Sequence, residues 1–490
     1  MSSPPVIVGI DQGTTGTTVL VLDQHLAILG RGYCEIPQSY PQPGQVEHDP
    51  EAIWQSVLAA FAQARAQSGA REIAAIGITN QRETAVLWDR ATGRPVAPAI
   101  VWQDRRTAKM CDRLRAEGLE PLVREKTGLL LDPYFSASKI AWLLENTPDL
   151  RRRAEAGEIA FGTVDSWLIW RLSQGQVHLT DVSNASRTLL LDLHALQWSP
   201  EMCRIFGVPA ALLPKVGPTS GRLAVTRAAG EIPEGIALAA AAGDQQAALF
   251  GQQCLRAGDA KCTFGTGSFL LMNVGPRPVL SRHRLLGTVA WQTGAGTAYA
   301  LEGSAFVSGA LIQWLRDGLG IIQQAAESEG LAASVPDDGG VTIVPALAGL
   351  GAPHWRSEAR GAILGLTRGT RAAHIARAAL QAIALQTVDL VHAMEQDSGR
   401  SLTALRVDGG ATANNLLMQI QADLLGADIV RPAQVELTAL GAARLAAEGV
   451  GLEIQPKDAT DSDATIFHPR MPAGERERIL SRWREAIAKA

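Results

Sequence analysis

The sequence predicts an α/β protein of two similar halves with a cleft between them. Three observations carry that prediction. The chain has 490 residues, more than one ordinary core accommodates. A strand, a Gly/Thr turn and a second strand occur in succession twice. Each copy is followed by a further strand and a helix, as in a duplicated α/β domain.

In the first copy, residues 6–10 and 18–23 are β-rich runs joined by Asp11-Gln-Gly-Thr-Thr-Gly16. A third strand is expected over 28–36. Asp49-Pro50 then starts a helix, with Asp as cap and Pro in the first turn. Ile53, Val57, Leu58 and Phe61 give that helix an apolar face, and a strand over 73–78 follows. In the second copy, residues 260–264 lead into Gly265-Thr-Gly-Ser268, and 269–273 leave it. Further elements are expected as a strand over 299–301, a helix over 308–319 and a strand over 341–344. The weak boundary falls near 251–258, dividing the chain into 1–251 and 252–490. The alanine-rich run 237–242 reads as buried small-residue packing.

Composition narrows the function. Hydrophobic residues make up 46% and charged residues 19%, the balance of a folded globular protein. The net charge of −4 gives no basic face for nucleic acid. Five cysteines without C-x-x-C spacing read as free thiols in a reducing compartment. The short polar start lacks an export-signal pattern, and no apolar run approaches membrane-spanning length. The expected location is the cytoplasm.

Five segments are candidates for chemistry, each with an ordinary alternative. Gly13-Thr-Thr-Gly16 and Gly265-Thr-Gly-Ser268 expose amides and hydroxyls suited to phosphate, or are simple hairpin turns. Asp11 ends a strand beside the first turn, where it would serve Mg²⁺ or merely order the turn. Asp244, at the end of an apolar run, is a general base for a substrate hydroxyl or a helix cap. Arg82 and Glu83, within Thr79-Asn-Gln-Arg-Glu-Thr84, form a donor–acceptor clamp for a polyol or a solvated turn. Asp408-Gly-Gly-Ala-Thr-Ala-Asn414 joins a strand to a helix and either meets a nucleotide or packs tightly. There is no P-loop, no paired H-R-D and D-F-G, no G-x-G-x-x-G after a strand and no H-E-x-x-H.

Taken together, these segments resemble the FGGY carbohydrate kinases, and within them the glycerol-phosphorylating members. The resemblance runs over nearly the whole chain. It includes Ile10-Asp-Gln-Gly-Thr-Thr15, Val46-Glu-His-Asp-Pro50, Gly77-Ile-Thr-Asn-Gln-Arg-Glu-Thr84 and Gly243-Asp-Gln-Gln-Ala-Ala-Leu-Phe-Gly251. Asn184-Ala-Ser-Arg187, Tyr299-Ala-Leu-Glu-Gly303 and Val407-Asp-Gly-Gly410 extend it.

The resemblance implies two ribonuclease-H-like domains of the actin/hexokinase type around a catalytic cleft. It implies transfer of phosphate from ATP, with Mg²⁺, to glycerol, giving sn-glycerol 3-phosphate. Asp244 would be the base, and Asp11 with Asp244 would serve the metal. Arg82, Glu83, Tyr134, Asp244 and Gln245 would bond glycerol, with Trp102 and Phe269 against its carbons. Thr14, Thr15, Thr266, Gly309, Gln313, Gly410 and Asn414 match nucleotide contacts, and Gly16 and Thr18 extend that set. A homodimer or homotetramer is implied, with no nucleic-acid partner. The competing readings are a kinase of another polyol or ketose, and an actin-like ATPase or sensor without transfer.

The chain departs from the family pattern twice. Many members carry Ser-Ser-Arg where this chain has Gly16-Thr17-Thr18, which removes a cationic phosphate contact. Some carry a Gly-Thr-Arg loop, similar to a fructose 1,6-bisphosphate site, where this chain has Glu231-Ile-Pro-Glu-Gly235. Inhibition by that bisphosphate is therefore not expected.

Overall fold

The computed structural model describes residues 4–69, 71–356, 358–454 and 463–490. The first three residues of the polar start lie outside the described residues. Two mixed sheets organise the molecule. The first contains β1 (Val6–Gln12), β2 (Gly16–Leu22), β3 (Ile28–Glu35), β4 (Ile73–Asn80), β5 (Ser220–Val225) and β6 (Ala237–Gly243), in the order β5-β6-β4-β1-β2-β3. The second contains β7 (Ala260–Phe264), β8 (Ser268–Gly275), β9 (Leu286–Thr293), β10 (Gly296–Ala305), β11 (Ala404–Asp408), β12 (Asp428–Arg431) and β13 (Thr465–Phe467). Its order is β9-β10-β8-β7-β11-β12-β13.

The two sheets share one pattern of directions. An antiparallel meander, β1-β2-β3 or β7-β8-β10, is extended by parallel strands, β4 and β6 or β11 and β12. An antiparallel strand, β5 or β13, then closes the edge. The expected duplication is present in topology as well as in the two turns.

The structure departs from the sequence expectations at four points. Residues 342–344 form a strand outside the second sheet, pairing with Ala362–Leu364. The second-half counterpart of β4 is β11, because only Ala404–Asp408 lies parallel beside β7. The strand β9 was not foreseen; it pairs antiparallel with β10 along that strand's outer edge. Finally, Thr79–Thr84 is no solvated turn. β4 continues through Asn80, and all six residues are buried.

The helix α1 (Pro50–Ser68) starts as its sequence requires: the Asp49 side chain accepts from the Glu51 amide. It covers β3 and β2 with Ile53, Trp54, Val57, Ala60 and Phe61. The helix α2 (Asp244–Gly251) follows β6 without an intervening turn. In the second half lie α3 (Gly309–Asp317), α4 (Ala372–Ser398), α5 (Asn415–Leu425) and α6 (Leu437–Gly449). The last of these returns to the first sheet, packing on β1, β4, β6 and α2. Ala237–Gly243 supplies the small residues it needs, as the sequence anticipated. Among the described residues, no helix is long and apolar enough to cross a membrane.

Candidate active site

The register of the parallel strands assembles the first half of the site. Asp11 lies opposite Thr79, and Asn80 lies opposite both Gln12 and Gly243. The carboxyl ends of β1, β4 and β6 therefore coincide, and the chain passes from them directly into the first Gly/Thr turn, Arg82–Glu83 and Asp244. Ligands of open α/β sheets bind outside such ends. In the second sheet, Thr263 of β7 lies opposite Asp408 of β11, which aligns the second turn with Gly409-Gly410.

Asp244 is the first residue of α2, with Gly243 as its cap position, so the capping alternative fails. Its carboxylate accepts from its neighbour, the Gln245 amide, at 2.7 Å and stands 3.2 Å from Arg82 Nε. The side chain keeps 30% of its exposure, whereas Arg82 keeps 3%. Gly243 is obligatory here, because a Cβ would meet Arg82 Cδ at 2.6 Å.

Arg82 and Glu83 are held from several sides. Arg82 donates to Glu302, to Gln246 Oε1 at 3.2 Å and to the Tyr134 hydroxyl at 3.3 Å. Glu83 accepts from Arg187 Nε at 2.6 Å. Its backbone has φ 61°, an uncommon conformation for a bulky residue that persists because the surroundings fix it. Burial opposes the charge on Arg82, but Glu302, Tyr134, Glu83 and Asp244 outweigh it and hold the guanidinium above its ordinary range. Burial pushes Glu83 up, partly offset by Arg82 and Arg187. Two guanidiniums thus face Glu83, Glu302 and Asp244.

The aromatic residues form one wall. Trp102 packs edge-on against Tyr134 at 5.6 Å and against Phe269, from the other half, at 6.2 Å between ring centroids. The indole also donates to Thr14 Oγ1 at 2.9 Å, tying the wall to the first turn. Gln245 accepts from Lys261, a fully buried lysine of β7 that also donates to Thr263 Oγ1 at 2.9 Å. Burial lowers the Lys261 pKa, opposed by Asp408 and Asp244.

The two turns differ in how they are tied. In the first, the Gly13 amide closes on the Gly16 carbonyl at 2.8 Å, leaving Thr14 half-buried and Thr15 exposed. Gly16 and Thr18 are buried within β2. In the second, the Gly265 carbonyl accepts from the Gly309 amide at 2.9 Å and the Thr266 carbonyl from the Ser308 amide at 2.8 Å. Gly309 admits this approach of α3, since a Cβ there would sit 2.7 Å from the Gly265 oxygen. Thr266 and Gln313 are exposed. A short 3₁₀ turn, Gly410–Ala413, precedes α5, and Asn414 caps that helix by accepting from the Leu417 amide at 2.8 Å.

Asp11 is the candidate metal ligand with the clearest electrostatic signature. Burial, then Asp244 and Glu436, push its pKa up to about 8. Burial penalises any charge, whereas the two neighbouring carboxylates would favour a cation. Among the described residues, no group of three His, Cys, Asp or Glu could hold a metal. Asp11 and the nearby Asp244 offer carboxylate oxygens, donors of the kind Mg²⁺ takes.

Glu302, Arg187 and Lys261 were missed as individual functional residues. Their signal was partial: Glu302 and Lys261 are charges within buried strands, whereas Arg187 follows the polar run Ser183-Asn-Ala-Ser186. A separate cavity of about 330 Å³ lies between His25–Ala27 and α6, and no candidate site residue lines it.

A two-domain α/β fold with paired Gly/Thr turns and a buried polar clamp at the strand ends has the architecture of the actin/hexokinase-type kinases. Models of the FGGY family of carbohydrate kinases match the chain in two parts, the N-terminal domain over 6–251 and the C-terminal domain over 260–449. The chain belongs to that family. A protein of Alkalilimnicola ehrlichii named glycerol kinase is 57% identical over 486 residues, spanning 99% of this chain and 98% of that relative. One of Trichlorobacter lovleyi, also named glycerol kinase, is 58% identical over 494 residues with the same coverage. The crystal structure of Plasmodium falciparum glycerol kinase with ADP superposes with a TM-score of 0.93 at 35% identity, covering 100% of this chain and 99% of that one.

Proposed function

We propose that this chain transfers the γ-phosphoryl group of ATP to the 3-hydroxyl of glycerol, yielding sn-glycerol 3-phosphate and ADP. The observation that carries the reading is the convergence of Arg82, Glu83, Tyr134 and Asp244 beside the Trp102–Phe269 wall. A short triol needs hydroxyl partners on one side and apolar contact on the other, and this arrangement offers both. The relatives named glycerol kinase, matched over nearly their whole length, support the same substrate.

In this mechanism Arg82 donates to glycerol oxygens, Glu83 and Gln245 add bonds, and the aromatic rings hold the carbon chain. Asp244 accepts the proton of the 3-hydroxyl as that oxygen bonds to the γ-phosphorus. The bond from that phosphorus to the β–γ bridging oxygen breaks, and ADP departs with the bridging electrons. Thr14, Thr15 and Thr266 are the exposed or half-buried donors for phosphate oxygens. Gly309, Gln313, Gly410 and Asn414 line the nucleotide end. Asp11 and Asp244 would hold Mg²⁺, which when bound would neutralise charge on the phosphate oxygens. Residues 1–251 then carry glycerol and phosphate, and 252–490 carry the nucleotide. Five free thiols and the use of ATP fit a cytoplasmic enzyme.

The test is ADP release from Mg-ATP with glycerol, dihydroxyacetone, erythritol, xylulose or no acceptor. Selective stimulation by glycerol is the expected result. Preference for another polyol would overturn the substrate, and acceptor-independent release would overturn the transfer.

A further inference from the structure

Glu302 is a carboxylate where the sheet offers it no water. It lies in β10 between Leu286 of β9 and Leu271 of β8, and it is completely buried. An unpaired charge there would be untenable. Oε2 accepts from Arg82 Nη1 at 2.5 Å, and Oε1 accepts from Arg82 Nη2 at 3.1 Å and from Arg187 Nη2 at 2.9 Å. Burial alone would raise its pKa, but Arg187 and Arg82 hold it ionised, down to about 2.

The consequence reaches beyond the ion pair. Pinned by two parallel bonds, the Arg82 fork presents Nε to Asp244 and its remaining reach to Tyr134. Arg187, pinned by the same carboxylate, donates Nε to Glu83 and lies over the Tyr134 ring, 5.5 Å from its centroid. One side chain from the second sheet thus orients groups of the first half that meet the acceptor.

We infer that Glu302 is a positioning residue for acceptor binding: it fixes Arg82 and Arg187, and so couples the acceptor site to the docking of the two halves. This rests on the reading that the acceptor sits at Arg82, Glu83 and Tyr134. Without the Glu302 charge, Arg82 turns to Asp244 and Glu83, occupying the carboxylates that should accept from the acceptor's hydroxyls. The nucleotide contacts lie on other elements and are untouched. A mere structural strut would instead weaken both substrates together.

The test compares KM for glycerol and for MgATP in Glu302→Gln, which keeps the shape and removes the charge, and in Glu302→Asp. Glu302→Gln is expected to raise KM for glycerol at least tenfold and leave KM for MgATP within twofold, with partial recovery in Glu302→Asp. Because Glu302→Gln strands two buried guanidiniums and can fail to fold, Glu302→Gln with Arg187→Gln removes one charge of each sign. It is expected to show the same split. A folded variant with unchanged KM for glycerol, or with both KM values raised equally, overturns the proposal. If the parent chain ignores glycerol, the substrate reading fails separately, and the same variants are judged with the polyol that stimulates the parent.

Discussion

Asp244 is held at the candidate site because a strand ends and a helix begins with no residue between them, which fixes its backbone on two rigid elements. Asp244→Asn keeps the local hydrogen-bonding shape but cannot take a proton. It is expected to fold and still bind nucleotide while kcat falls by about 10²–10⁴. Calorimetric nucleotide binding alongside steady-state turnover checks this, and near-normal turnover would remove Asp244 from the base role. His48 belongs to a different balance. It is buried, its Nε2 has no partner among the described residues, and burial lowers its pKa from 6.5 to about 4. The folded state favours the neutral ring, so its contribution is complete above pH 6.5 and disappears as pH falls toward 4. The shift corresponds to about 3 kcal/mol at most. Urea unfolding should therefore show lower stability at pH 5 than at pH 7.5, with a smaller difference in His48→Gln. An equal difference in both proteins would place the acid sensitivity elsewhere.

At the scale of elements, the joint between α6 and the first sheet depends on missing side chains. A Cβ on Gly441 would lie 1.9 Å from the Ala247 carbonyl oxygen, and one on Gly77 2.0 Å from that of Ala442. Backbone cannot yield as a side chain tip can, so overpacking here costs at least the usual ~1–3 kcal/mol. Gly441→Ala is expected to lower the melting temperature by several degrees. Gly474→Ala, in the helix Ala473–Lys489 with open space around it, should instead stabilise by up to about 1 kcal/mol. Thermal melts of the two variants test the contrast, and a neutral Gly441→Ala would show that α6 can shift away from the sheet.

At the scale of the molecule, the halves are held together by buried charge as well as by apolar contact. Glu302 and Lys261 reach from the second sheet to Arg82, Arg187 and Gln245 of the first half. Removing one member of such a network is costly, because its partner is left buried and unpaired. The outer surface has a different character. The loop at 231–235 carries Glu231 and Glu234, and Glu234 pairs with Arg227. An acidic loop repels a bisphosphate, so millimolar fructose 1,6-bisphosphate should leave turnover unchanged. Inhibition that vanishes when this loop is mutated would refute that expectation.

Local pattern was enough for much of this protein. The Gly/Thr turns, the Asp49 cap and the apolar face of α1 are set by neighbours in sequence, so they were legible there. The repeated strand–turn–strand unit made the duplicated architecture legible too. Arg82, Glu83 and Asp244 stood out because polar residues interrupted apolar runs. What the chain alone left open was pairing at long range. Residues 404–408, rather than 342–344, join the second sheet because a parallel partner is chosen by packing across a crossover, not by β propensity. The six residues of Thr79–Thr84 read locally as solvated, yet all are buried, because Arg187 and Glu302 arrive from distant segments to match their charge. Sequence by itself determined the candidate residues; tertiary structure decided which charges they face, since a buried charge takes its partner from whatever the fold brings within a few ångströms.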